Sequence, residues 1–305
     1  MGITIIEKYA KWIEFSKIKY PPALWIIISI ASSILIGVCT YILTLALIKE
    51  VTLLPAAFGL ATIVLMIGYP YMKKESIVSG IEKNFSDALK QMADTLKAGD
   101  TYESALREIV EADYGRLSEE MELALRRLED GENIETSLKG FAEGIDSRLI
   151  QRTITIILDS IKTGASLAEI LEEISEDVKD FQKLKEERKA NTTMQFLFMI
   201  AAGGAIAPII FGEISAVISA FTKITSQAIT QEQLTAAIET NNTITLLIQT
   251  YLIISVLGSG MMMALIREGK PNKSLIYIPL LLVLAFIMYY ASNIVIKAMI
   301  AGASM

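Results

Sequence analysis

The 305-residue chain has no histidine, a single cysteine and, between residues 73 and 193, no proline. Without histidine it lacks the commonest general base and the commonest metal ligand. One cysteine, Cys39, excludes an intrachain disulfide and a thiolate metal site, and its place inside an apolar run predicts a small buried apolar residue. There is no P-loop, no Gly-rich phosphate turn after a strand, and no Ser/His/Asp or Cys/His set. The sequence therefore predicts no enzyme activity, no cofactor and no metal, and any energy for its work must come from a partner or an ion gradient.

Charge is also missing, over five long runs: Pro21–Ile48, Val51–Met72, Ala190–Gly212, Thr240–Ile266 and Ser274–Ile296. A helix needs about 20 apolar residues to cross the hydrocarbon core, and each run is that long. Charge at mid-bilayer is costly, and a soluble chain of this size is rarely 52% hydrophobic with 20% charged residues. The expected fold is all-α, a polytopic membrane protein with five transmembrane helices and one cytoplasmic six-helix domain of repeated helical hairpins.

Residues 1–20 mix Lys8, Lys11, Lys17 and Lys19 with Ile5, Tyr9, Trp12 and Ile13. This pattern predicts an amphipathic helix over 2–18 lying on the membrane surface, rather than a cleavable signal peptide. Basic residues at the N-terminus, at both ends of the 73–193 block and in the 267–273 loop contrast with only Lys49, Lys223 and Lys297 on the other side. The positive-inside rule then places the N-terminus and the block in the cytoplasm and the C-terminus outside a cell (inner or cytoplasmic) membrane. The expected order is a surface helix at 1–20, spans 1 and 2 in 21–72, the cytoplasmic domain at 73–193 and span 3 at 194–222. An external loop at 223–243, spans 4 and 5 in 244–296 and an external tail at 297–305 complete it.

Within the block, helices are predicted at about 76–98, 101–113, 118–130, 133–143, 146–163 and 166–190. Thr101, Ser118, Asn133, Asp146 and Ser166 stand as N-caps, Ser166 with Glu169 as a capping box. Gly99, Gly115, Gly131, Gly144 and Gly164 stand where the preceding helices end. Three segments share one pattern: Gly99-Asp-Thr-Tyr102-Glu-Ser-Ala-Leu106, Gly131-Glu-Asn-Ile134-Glu-Thr-Ser-Leu138 and Gly164-Ala-Ser-Leu167-Ala-Glu-Ile-Leu171. The units recur at the length of a helical hairpin, and their apolar pair at i, i+4 is expected to face the core. Phe85, Leu89, Met92 and Leu96 form one apolar stripe; Leu149, Ile150, Ile154, Ile157 and Ile161 form another. The block holds 18 basic and 27 acidic residues, a net −9, which disfavours nucleic acid and anionic lipid and suits a basic protein partner.

In the membrane part, Glu213 is embedded if span 3 continues to Thr222, and interfacial if the span ends near Gly212. The second reading is preferred, because Ala190–Gly212 already crosses the core. Gly203, Gly204 and Pro208, with Gly258 and Gly260, fit close helix packing or a groove for another transmembrane helix. Asn241-Asn242-Thr243 is a glycosylation-type triplet in the expected external loop.

Two spans, a helical domain with Gly-x-x-φ-x-x-x-Leu units, then three spans is an arrangement that resembles the type II secretion system F-domain family. These are platform proteins of type IV pilus, tight-adherence and archaellum-like machines. Leu96-Lys-Ala-Gly-Asp-Thr-Tyr-Glu-Ser-Ala-Leu106 and Ile161-Lys-Thr-Gly-Ala-Ser-Leu-Ala-Glu-Ile-Leu171 carry the likeness, which covers roughly residues 80–300. It implies a non-enzymatic scaffold that couples a cytoplasmic hexameric secretion ATPase to pilin-like subunits. Gly99, Glu103, Gly131, Glu132, Glu135 and Gly164 then become the expected ATPase contacts. The family often carries two such domains and this chain one, which implies a homodimer or pairing with a paralogous platform protein. The competing reading is an ion-driven stator or channel that uses Glu213.

Overall fold

The computed structural model describes residues 5–18, 20–47, 53–163, 166–225 and 230–303. Among these residues the secondary structure is helical throughout, with no strand. The chain divides into two units, residues 1–72 with 189–305, and residues 73–188.

In the first unit, α1 (Ile5–Phe15) precedes α2 (Pro22–Leu47), and α3 begins at Leu54. The unit continues with α9 (Thr193–Met199), a π-helical segment (Ile200–Ile206), α10 (Ala207–Thr225), α11 (Gln231–Glu268), a short 3₁₀ turn (Pro271–Lys273) and α12 (Ser274–Ala303). Five helical stretches are long and apolar enough to cross a membrane, in agreement with the five charge-free runs. The core is built by Leu252, Val256 and Met263 of α11 against Leu281, Ala285, Phe286 and Tyr289 of α12, with Ala57 and Ala61 of α3. At one end, Glu268 pairs with Lys273 (2.8 Å) and Lys189 (3.7 Å), and the Arg267 guanidinium lies 4.3 Å from the centre of the Phe196 ring.

The second unit contains the rest of α3, which ends at Lys97, and α4 (Tyr102–Glu111), α5 (Arg116–Glu129), α6 (Ile134–Gly144), α7 (Arg148–Thr163) and α8 (Leu167–Asn191). Phe85, Leu89 and Met92 of the first predicted stripe are buried, as are Ile150, Ile154 and Ile157 of the second. Leu106, Leu138 and Leu171, the closing leucines of the three repeats, are all buried, but the first member of each pair varies: Leu167 is buried, Ile134 half-buried and Tyr102 exposed, so only the leucine position faces the core in every repeat.

Several expectations are corrected. Span 2 and the first domain helix are one helix, Leu54–Lys97, because nothing between residues 72 and 76 breaks a helix. Ser118 is buried and does not cap: its hydroxyl donates to the Ile109 carbonyl and accepts from the Tyr114 amide, while Gly115 occupies the cap. Asp146 pairs with Lys74 instead, and the neighbouring Ser147 hydroxyl accepts the Ile150 amide at 3.3 Å. Gly144 is the last residue of α6 and is not left-handed; the non-glycine Asp113 is, at φ 51°. Cys39 is exposed on α2, where a span's outer face meets lipid rather than protein. The expected 223–243 loop is largely helical, since Thr230 and Gln233 form a capping box that starts α11. The Asn241-Asn242-Thr243 triplet therefore lies inside a helix.

Candidate functional site

Two constellations stand out, one in each unit. In the 73–188 unit the repeats build a set of matched turns. Gly99 and Gly131 adopt φ 93° and 91°, a conformation that only glycine enters freely. Each closes its helix with the same pair of bonds. The Gly99 amide donates to Leu96 and the Asp100 amide to Thr95; the Gly131 amide donates to Leu128 and the Glu132 amide to Arg127. Two residues past each glycine, Thr101 accepts the Ser104 amide at 3.2 Å and Asn133 accepts the Thr136 amide at 2.7 Å. Sequence and geometry therefore repeat together, residue for residue. Gly164, the glycine of the third unit, lies outside the described residues.

Ion pairs then tie the repeats to one another. Arg107 of α4 bonds Glu103 (2.9 Å) on its own helix and Glu129 (2.7 Å) just before the second glycine turn. Lys162, ahead of the third repeat, pairs with Glu135 of the second at 3.9 Å. Lys97, ahead of the first, pairs with Glu172, the residue that follows the third. All three repeats are thus gathered at one end of the unit, which their spacing along the chain did not require. The hydrogen bonds that Arg107 donates to Glu103 and then Glu129 raise its guanidinium above the usual value, and the bond Lys97 donates lowers the Glu172 carboxyl. These groups are solvent-exposed, so the pairs set positions more than stability.

Beside the first turn is a cleft of about 610 Å³ lined by Asp94, Asp100, Glu108, Glu111, Arg107 and neighbouring polar residues. Carboxylates outnumber cations there, which suits a basic surface on a partner. Glu103 and Glu132 are exposed and Glu135 is half-buried. Among the described residues no group of His, Cys, Asp and Glu is arranged to hold a metal.

The second constellation is in the other unit, where the small residues singled out above lie. Gly203, Gly204, Pro208 and Gly260 are buried, and Gly258 is exposed. A methyl group added at Gly203 would sit 2.8 Å from the Ser259 hydroxyl, at Gly204 3.0 Å from Leu284, and at Gly260 2.6 Å from Ile278. At Gly258 it would meet nothing within 4 Å. Gly203 and Gly204 lie in the π-helical segment, which ends at Ile206, two residues before Pro208. The wider turn accommodates the ring that lacks an N–H, where a simple kink was expected.

Polar side chains the sequence reading passed over knit this seam. Gln249, fully buried, accepts the Leu53 amide at 2.8 Å and donates to the Tyr290 hydroxyl at 3.1 Å. Tyr289 donates to Ser215, Ser292 to the Ile209 carbonyl and Asn293 to the Gly212 carbonyl. The available signal was an uncharged amide or phenol inside an otherwise apolar run, where an unpaired polar group is costly. Helix α10 continues past Glu213 to Thr225, so no helix end marks an interface at Gly212. The Glu213 side chain is exposed on the outside of the bundle, about 30 Å along the helix from Thr193 at 1.5 Å per residue. Among the described residues it makes no ion pair.

Five helices long and apolar enough to cross a membrane, together with a helical unit built from glycine-turn repeats, define a multi-pass membrane protein. Residues 88–216 match the family model for Type II secretion system (T2SS), protein F, which supports the assignment of this segment to that F-domain family. Members of that family are non-enzymatic membrane platform proteins of secretion and pilus-type machines, and the match implies a membrane platform protein. The chain matches no curated protein and no solved structure.

Proposed function

We propose that this protein is the membrane platform of a type IV pilus-like filament machine, of pilus, archaellum or secretion type. In this role it couples a cytoplasmic hexameric ATPase to the insertion of pilin-like subunits. The observation that carries the reading is the family match over residues 88–216, which takes in the three glycine-turn repeats. The gathered turns at Gly99 and Gly131, with Glu103, Glu132 and Glu135 and the acidic cleft beside them, offer the ATPase a fixed acidic surface in the proposed cytoplasmic domain.

On the membrane side, Ile254, Gly258, Met261 and Leu265 form an exposed stripe on α11 at helical spacing. A glycine among larger apolar residues gives a notch into which a single transmembrane helix can pack closely. We assign this notch to the pilin-like subunit, and we place the N-terminus inside and the C-terminus outside the cell membrane. A second copy, or a paralogous platform protein, supplies the second domain.

Glu103→Lys, Glu132→Lys and Glu135→Lys together should abolish retention of the ATPase on the purified full-length protein while its thermal unfolding stays close to wild type. Undiminished retention would remove the acidic turns from the interface.

A further inference from the structure

Helix α3 contains Pro70, which has no N–H to donate and whose ring crowds the carbonyl four residues earlier. That carbonyl belongs to Met66, and it accepts the Trp25 indole N–H at 2.9 Å. Two further side chains reach the same stretch of backbone. Tyr9 donates to the Ile67 carbonyl at 3.3 Å, and Ser16, itself buried, donates to the Pro70 carbonyl at 3.1 Å. All three donors come from the first 25 residues of the chain.

Rings close around the same place. Trp12 packs on Tyr71 with centroids 5.1 Å apart, and Trp25 stacks on Tyr69 at 5.7 Å. Ile13 of α1 is buried. The amphipathic N-terminal helix, expected to rest its aromatics in the headgroup layer, instead turns part of its apolar face onto α3.

We propose that the N-terminal segment is a clasp on the proline step of α3. Trp25 replaces the hydrogen bond that Pro70 cannot make, and Tyr9 and Ser16 hold the Ile67 and Pro70 carbonyls that follow Met66. With the clasp closed, α3 passes Pro70 in one conformation. With it open, Met66 loses its donor and α3 is free to bend at this step. The clasp has two parts: the N-terminal stretch carrying Tyr9 and Ser16, and Trp25 near the start of α2, so full release requires both to leave α3. This reading does not depend on the platform assignment.

The test is hydrogen exchange on the purified full-length protein in lipid nanodiscs. Ser16→Ala with Trp25→Phe removes two donors and keeps both side chains close to their original size. Amides 71–74 should then exchange at least ten-fold faster than in the wild type. Adding Pro70→Ala, which restores an N–H for Met66, should bring them back to within about two-fold. Unchanged exchange in the double variant, or no rescue by Pro70→Ala, overturns the clasp.

Trp12 and Trp25 are the only tryptophans. In a Trp25→Phe single variant the emission therefore reports on Trp12 alone, and a shift to longer wavelength on adding Ser16→Ala is the expected sign that α1 has lifted. If the double variant does not fold, Trp25→Phe alone still decides: faster exchange at 71–74 supports the clasp, and unchanged exchange contradicts it.

Discussion

Gly212→Leu should unseat α10 from α12 and leave the purified protein unable to hold a single, stable state in detergent. The first atom of the new side chain would lie 2.4 Å from the Tyr289 carbonyl oxygen and 3.1 Å from the Ser292 Cβ. The nearer obstacle is backbone, which cannot swing aside as the end of a long side chain can. Overpacking of a well-filled interior costs about 1–3 kcal/mol, and a backbone obstacle puts this case at or beyond the upper end. The loss is not confined to one contact. Gly212 also offers the carbonyl that accepts from Asn293, and within one turn Ile209 accepts from Ser292 and Ser215 from Tyr289. Gly258→Leu is the matched control, because an added Cβ there meets open space and should change stability by less than about 0.5 kcal/mol. Thermal unfolding of the two variants checks both halves; equal midpoints would mean that the α10–α12 seam does not hold the bundle.

Phe85→Ala should collapse the 73–188 unit. Phe85 is fully buried, and its ring stacks on Phe141 with centroids 6.2 Å apart, joining α3 to α6. Removing such a ring from a filled core costs about 3–5 kcal/mol, a large share of the roughly 5–15 kcal/mol that holds a domain folded. Limited proteolysis of the intact protein should shift toward cleavage within 73–188 while the membrane helices remain protected. An unchanged cleavage pattern would contradict this account of the core.

Much of this architecture was legible in the residues. Charge-free length marked the spans, because the bilayer penalises charge wherever the chain runs. The glycine turns were legible at Gly99 and Gly131, where a left-handed residue and a cap two positions on are both local requirements. They were misread at Gly144, where helix α6 keeps its glycine, and at Ser118, whose hydroxyl serves a bond nine residues back to Ile109. A capping serine and a buried one look alike until the fold decides. Nothing in the chain signalled that Arg107, Lys162 and Lys97 would bring the repeats together, because each pair joins residues far apart in sequence. The seam was half legible: Gly203, Gly204 and Gly260 announced close packing, while Gln249 and Tyr289 were hidden in apolar runs. Cys39 was read as buried because a soluble protein hides such residues, whereas a membrane helix turns them toward lipid.

The measurement closest to the central claim is purification of the full-length protein from its native membranes, with mass spectrometry of what accompanies it. The account predicts a hexameric secretion-type ATPase and pilin-like subunits, with the ATPase lost in the Glu103, Glu132 and Glu135 charge-reversal variant. Recovery of the protein alone, as an oligomer that conducts ions in liposomes and stops doing so in Glu213→Gln, would contradict it.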